Sequence, residues 1–591
     1  MSELVTERVE RVDEIPVIFH ILIKMGIAER IDRFWPAHGN WKGLSYGQLA
    51  VLFITYMIHS LNHRLSGMEA WVAKHQHLLE QLTGWTLTPK DATDDRLGIL
   101  TQVLGSDPEQ QVAYQVEQGK GLMQAYELPT EVARYDTTSF NVYHASDELE
   151  ADGILAFGHS KDRRPDLLQF KQGLGTLDPA GVPLFTMTLK GSAADDPEYV
   201  PAWQQMRETI GHSNFLFVGD CKMGSFETRS KIARENGFYL CPLPMTGQVP
   251  NELESWVNNL PTTLEEIQLD GKKRGEVRVI GQGFEVDKVM MRQDENGEFQ
   301  WSERWLVIRS ESHAKKQQAG FLKRLENAEK SLKSSTAKGK ESAEEWEMRL
   351  RNNIEEQRLS KFLTVEVHEK TYQEKHYSKR GRPTAKTPYF LETIVEMSCR
   401  VNRQEAAIEA HQKLMGWRIY VTNTAKTHMT LTQSVRYYRD EYTVERGFHR
   451  FKRGSLPVLP LFLRLDERIK GLVFLLFIAL QALTLIEFVV RRELAKTGEN
   501  LAGLVPGNPK NVQTQPTAER LLASFKELNL FIQIRGDVIV GHLVEKLSPL
   551  QEKILSLLKI PKEIYNLSFI RVRTDEEVNR VETYFDLAVA T

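Results

Sequence analysis

Cysteine is scarce in this chain. Only Cys221, Cys241 and Cys399 occur in 591 residues, and none stands at the short spacings that zinc sites or disulfide frameworks use. A reducing, cytoplasmic setting is therefore expected. Excess charge of one sign is missing too. Lys and Arg total 76 against 79 Asp and Glu, a formal net charge of −3, which excludes a uniformly basic nucleic-acid coat but leaves room for local basic grooves. The opening MSELVTERVERVDEIPVIFH is acidic and carries no apolar signal-peptide run. Long hydrophobic runs reduce to one, IKGLVFLLFIALQALTLIEFVV from Ile469 to Val490, and Lys470, Gln481 and Glu487 interrupt it. With no second comparable run, it is expected to be a buried helix of a large domain rather than a membrane span, and no membrane partner is expected.

What is present is an ordered chain, 41% hydrophobic and 26% charged, too long for one hydrophobic core. Residues 1–130 read as a helical region: Ile15 to Ile31 carries an apolar helical pattern, and another helix is expected after a Ser45 cap. Residues 131–245 change character. EVARYDTTSFNVYH, ILAFGHS and VPLFTMTLKG read as three strands of a meander, and SNFLFVGD as a strand ending in Asp220 before a helix closed by Gly237. Residues 246–410 interrupt this pattern with alternating strands and a charged helical stretch from Lys315 to Leu359. HYSKRGRPTAKT, with its basic run at 379–386, reads as a loop. Residues 411–460 return with the strand WRIYVTNT and a helix capped by Thr430 or Thr432, and 461–591 form a C-terminal, largely helical region.

The stretch RYYRDEYTVERGFHRFKR, Arg436 to Arg453, reads as one helix with two functional sides. At 100° per residue, Tyr438, Glu441, Glu445 and Lys452 fall within about 60° of each other, while Arg439, Arg446, Arg450 and Arg453 form a stripe about 120° further round. One edge would present a carboxylate from the core and the other would face a polyanion. Asp136 within a strand, Asp220 at a strand end and Glu445 on this helix are then three carboxylates from separated core elements, and adjacent parallel strands can bring the two aspartates to one sheet edge. Clustered carboxylates without histidine or cysteine ligands suit hard divalent cations, above all Mg²⁺. Two such ions about 4 Å apart can activate a nucleophile and stabilise the leaving oxygen in phosphodiester attack.

These residues resemble the DDE transposases of bacterial insertion sequences, in the branch whose catalytic glutamate lies in a Tyr-x2-Arg-x3-Glu-x6-Lys motif. Tyr438, Glu445 and Lys452 match that spacing, with Glu441 at the motif's arginine position. YDTTSF around Asp136, GHSKDRRPDLLQFKQGL at 158–174, VGDCKMGS around Asp220 and DERIKGLVFLLFIALQAL at 466–483 resemble the same branch, as do IPVIFHILIKMGIAERID and ATDDRLG in the helical region. The resemblance implies an α/β chain: an RNase H-like catalytic core with a long, mainly β insertion, flanked by helical N- and C-terminal regions. It implies Asp136, Asp220 and Glu445 as catalytic residues holding two Mg²⁺ ions, with Mn²⁺ as substitute. Tyr438 and Lys452 would position DNA, and Arg439, Arg446, Arg450 and Arg453 would contact it. The implied partners are double-stranded DNA, as element ends and as target, and further copies of the chain in a synaptic complex. Two other functions fit the same residues: an RNase H-like endonuclease without strand transfer, and a catalytically impaired DNA-binding descendant.

Overall fold

The computed structural model describes residues 5–145, 152–271, 276–295, 297–339, 341–378, 382–383, 387–536 and 538–567. They form a mixed α/β protein of two compact units. One is discontinuous, comprising residues 1–241 and 437–591, and the other is formed by residues 242–436.

The discontinuous unit is built on strands β1 (Val5–Arg11), β2 (Val132–Val142), β3 (Leu168–Leu177), β4 (Val182–Lys190), β5 (Leu216–Val218) and β6 (Phe238–Pro242). The last five lie in the order β4-β3-β2-β5-β6. β2, β3 and β4 are mutually antiparallel neighbours, whereas β5 runs parallel to β2 and β6 parallel to β5. All ten residues of β3 are buried, as expected for a strand covered on both faces. ILAFGHS, expected as a strand, makes a single bridge between Ala156 and Gln169. The strand beside β2 is instead LQFKQGLGTL, whose unbroken burial gives no polar–apolar alternation to read.

The long apolar run becomes the helix Asp466–Thr497, and its most hydrophobic window is wholly buried within the protein. It packs against the helices Tyr46–Ser60, Asp94–Gly105 and Pro549–Leu558 and against β4. The contact with Asp94–Gly105 is backbone to backbone. A Cβ on Gly105 would lie 1.8 Å from the Glu467 carbonyl oxygen, and one on Gly471 would lie 1.8 Å from that of Thr101. The polar residues that interrupt the run find partners inside: Gln481 donates to the Pro183 carbonyl at 2.9 Å, and Glu487 anchors an arginine cluster described below. Among the N-terminal helices, the pattern expected to run from Ile15 to Ile31 divides at Gly26, which has φ +65°. Ser45 caps the next helix through a reciprocal bond with Gln48. Sequence patterning gives no sign of β1, which pairs antiparallel with the C-terminal strand Asn529–Arg535.

The second unit carries an antiparallel sheet in which Glu265–Asp270, Val277–Asp294, Gly297–Ser310 and Trp417–Thr422 are successive neighbours. Helices Glu311–Lys333 and Ala343–Glu356 enclose a core containing Phe321, Leu325, Trp346 and Leu350. Strands Leu363–Tyr377 and Tyr389–Arg403 form a long two-stranded ribbon. Of the basic run at 379–386, residues 379–381 and 384–386 lie outside the described residues.

Candidate active site

Register alone brings the two aspartates level. Arg134 of β2 pairs with Val218 of β5 in a parallel ladder, and Asp136 and Asp220 each follow their strand's paired residue by two positions. Asp136 sits inside β2. Its Oδ1 accepts the Thr137 N–H at 2.7 Å and lies 3.7 Å from Lys161 Nζ. Lys161 is fixed in turn by the Thr137 carbonyl and by Thr137 Oγ1 at 3.0 Å. Asp220 lies past the end of β5, and its Oδ1 accepts both the Tyr199 hydroxyl at 2.7 Å and the Lys222 N–H at 2.8 Å. In both aspartates these bonds fall on Oδ1, which leaves Oδ2 as a donor atom for a cation.

The stretch expected as one helix from Arg436 to Arg453 is two. Leu431–Arg439 ends, a turn at Asp440 and Glu441 follows, and Tyr442–Lys452 begins. The turn is tight because Glu441, Thr443 and Val444 each bond back three residues. A buried clasp secures it. Arg134 binds Asp178 through Nε at 2.8 Å and Nη2 at 2.6 Å, and also donates to the Tyr437 carbonyl. Thr443 Oγ1 donates to Asp178 at 3.2 Å and to the Asp440 carbonyl at 2.9 Å. Gly181, at φ +67°, is part of the same joint, since a Cβ there would meet the Thr443 carbonyl at 2.8 Å. The first helix is capped by Thr430, whose Oγ1 accepts the Gln433 N–H at 3.2 Å.

Glu445 is exposed on the second helix, close enough to Asp136 that its charge acts on that carboxyl. The Asp136 pKa is pushed up to about 6 by burial, against the opposing pull of Lys161 and the Thr137 N–H, with Asp220 and Glu445 raising it further. Glu441 joins the same field. Burial and the Asp136 charge push its pKa up to about 7, a hydrogen bond with Tyr438 opposes the rise, and Glu445 and Asp220 add to it. Four carboxylates from three stretches of chain thus share one electrostatic neighbourhood, with Lys161 as the cation against Asp136. Such a site favours uptake of protons or of a divalent cation. It is wider than a cage for one ion: among the described residues, the trio whose ligand atoms all lie within 4.8 Å of one another is Asp13, Glu14 and His59, elsewhere in this unit.

The basic residues of this segment divide. Arg446 Nη2 binds Glu487 at 2.8 and 2.9 Å, and Arg450 binds Glu487 together with Glu519, the latter at 2.7 Å. Arg491 also reaches Glu487, at 3.2 Å. Arg446 and Arg450 therefore brace the helix against Asp466–Thr497 rather than form a free stripe, while Arg439 and Arg453 are exposed. The helix break removes the single angular frame on which one arginine stripe was counted. Lys452 Nζ binds Asp162 at 2.9 and 3.1 Å. Lys161, Tyr199 and the Arg134–Asp178 clasp were not singled out from the sequence. Lys161 and Asp162 do lie within the quoted GHSKDRRPDLLQFKQGL piece, but no spacing rule marks them.

No protein-family model matches the chain, and no curated protein matches it. Among solved structures, it is similar to piggyBac transposase in a synaptic complex with hairpin DNA, at 7% identity, covering 88% of this chain and 81% of that chain with a TM-score of 0.33. That likeness is too slight to carry the fold or the site, which rest on the geometry above.

Proposed function

We propose that the chain is a DDE-type DNA transposase with an RNase H-like core, cleaving phosphodiester bonds at the ends of a mobile element and joining them to target DNA. The observation that carries this reading is that Asp136 stands level with Asp220 on the neighbouring parallel strand, and that Asp220 and Glu445, the latter from a distant helix, both act on the Asp136 carboxyl. The strand order β4-β3-β2-β5-β6, antiparallel and then parallel, agrees with the RNase H-like core that the motif resemblance implies.

The donor set fits Mg²⁺, or Mn²⁺ in its place: all oxygen, strongly negative, with an oxygen of each aspartate left for a cation. Asp136, Asp220 and Glu445 would hold two ions, which when bound supply activation of a water or 3′-hydroxyl and charge stabilisation at the leaving oxygen. Tyr199 and the Lys222 N–H orient Asp220, the Thr137 N–H and Lys161 orient Asp136, and the Arg134 clasp holds the helix that carries Glu445. Tyr438, Lys452, Arg439 and Arg453 are the residues proposed for contact with double-stranded DNA. Arg446 and Arg450, both bound to the buried Glu487, support that face from behind. Further copies of the chain would complete a synaptic complex.

The test is cleavage of the DNA flanking this chain's own coding sequence, with Mg²⁺ or Mn²⁺, followed by joining of a precleaved end to a target duplex. Both steps are expected in the wild type, with neither in Asp136→Asn, Asp220→Asn or Glu445→Gln. Cutting without joining would assign an endonuclease, and binding without cutting a catalytically impaired descendant.

A further inference from the structure

A second cluster lies away from these carboxylates, where the N-terminal strand, the helix Tyr46–Ser60 and the C-terminal region of the discontinuous unit meet. Asp13, Glu14 and His59 each offer a ligand atom, all within 4.8 Å of one another. Asp13 and Glu14 are 6% and 2% exposed, so this is not a solvated acidic patch. Glu14 Oε1 lies 3.4 Å from His59 Nδ1. Yet Glu14 Oε2 and His59 Nδ1 are both buried without a hydrogen-bond partner. A buried carboxylate oxygen and imidazole nitrogen left without hydrogen-bond partners are costly unless a cation occupies the space they face.

The surroundings hold the cluster in place. Asp13 is kept at φ +47°. Its Oδ1 accepts the Glu527 N–H at 2.8 Å and Arg11 Nη2 at 2.7 Å, and its carbonyl accepts the Tyr565 hydroxyl at 2.9 Å. Two carboxylates facing one imidazole leave a negative charge that Arg11 compensates only in part. The addition of an imidazole to oxygen donors selects a borderline transition-metal dication over Mg²⁺ or Ca²⁺.

We propose that Asp13, Glu14 and His59 form a structural transition-metal site of the Zn²⁺ type, which ties the N-terminal strand to the helix Tyr46–Ser60 and, through the bonds to Asp13, to the C-terminal region. The site is independent of the proposed catalytic carboxylates and stands whether or not the chain is a transposase.

The experiment uses the full-length chain carrying Asp136→Asn and Asp220→Asn, so that the catalytic carboxylates do not compete. The protein is stripped with chelator, mixed with Zn²⁺ and desalted, and retained metal is counted by mass spectrometry. One zinc per chain is expected, and adding Glu14→Gln or His59→Gln is expected to cut retention at least tenfold, with circular dichroism confirming that each variant is folded. Should either variant fail to fold, X-ray absorption of the zinc-loaded parent decides: a shell of oxygen with one imidazole nitrogen supports the site, and a shell containing sulfur or no imidazole overturns it. Absence of retained zinc in the parent, or equal retention in folded His59→Gln, also overturns it and leaves a buried histidine–glutamate ion pair.

Discussion

Removing the Asp136 charge is expected to stabilise the protein while abolishing its chemistry. The carboxyl pKa rises from an ordinary 3.8 to about 6 in the folded chain, chiefly through burial. The folded state therefore holds a proton that the unfolded state releases, so stability falls as pH rises from about 4 to about 6 and stays lowered above that. At 1.36 kcal/mol per pKa unit, the penalty at about pH 8 is at most about 3 kcal/mol. The side chain retains 19% exposure, which brings the expectation to ~1–3 kcal/mol. Asp136→Asn keeps an oxygen for the Thr137 N–H and carries no charge, so without divalent cations it should melt above the wild type by a few degrees near pH 8. The gap should shrink to about 0.5 kcal/mol near pH 4, where the folded carboxyl is protonated and the unfolded one is only about half ionised. Saturating Mg²⁺ should close the gap from the other side, because a cation that binds only the folded wild type stabilises it by mass action. Thermal melts across pH, with and without Mg²⁺, measure all three arms. An Asp136→Asn protein less stable than wild type at pH 8, or a gap indifferent to pH, would refute the uncompensated-charge reasoning.

Glu441→Gln removes one carboxylate from the cluster, and the pH midpoint of metal-dependent cleavage should move down; a midpoint that stays in place would show that Glu441 is not coupled to Asp136. Arg450→Met strips a buried guanidinium from Glu487 and Glu519 and should cost ~3–5 kcal/mol in denaturant unfolding, whereas Arg439→Ala at an exposed position should change stability by less than about 0.5 kcal/mol. A mild Arg450→Met would mean that Glu487 finds compensation in Arg446 and Arg491. Arg134→Lys loses the paired Nε and Nη2 bonds to Asp178 and should lower kcat for cleavage more than it weakens DNA binding, since it loosens the joint before Glu445; equal loss of both would assign the clasp a purely structural role.

The elements that read well from the sequence were those with local signals. Ser45 and Thr430 stand as caps with a glutamine three residues on, and the interrupted apolar run is a buried helix. Asp136 within one strand and Asp220 at the end of another were visible in ARYDTT and FVGD, and the parallel pairing of β2 with β5 sets them level. What escaped was set by distant partners. The break at Asp440 and Glu441 depends on Arg134 and Asp178, hundreds of positions upstream, so helical periodicity ran straight through it. The division of the arginines depends on Glu487 and Glu519, which nothing in the segment itself announces. β1, VTERVER, is more than half charged and short of apolar residues, and it pairs with Asn529–Arg535. Glu441 was visible as a departure from the motif, but its place within the acid cluster required the fold.

Anomalous diffraction from crystals soaked in Mn²⁺ tests the central claim most directly. The account predicts two peaks about 4 Å apart, bounded by Asp136, Asp220 and Glu445 and lost in Asp136→Asn. Peaks elsewhere only, or none at saturating Mn²⁺, would contradict it.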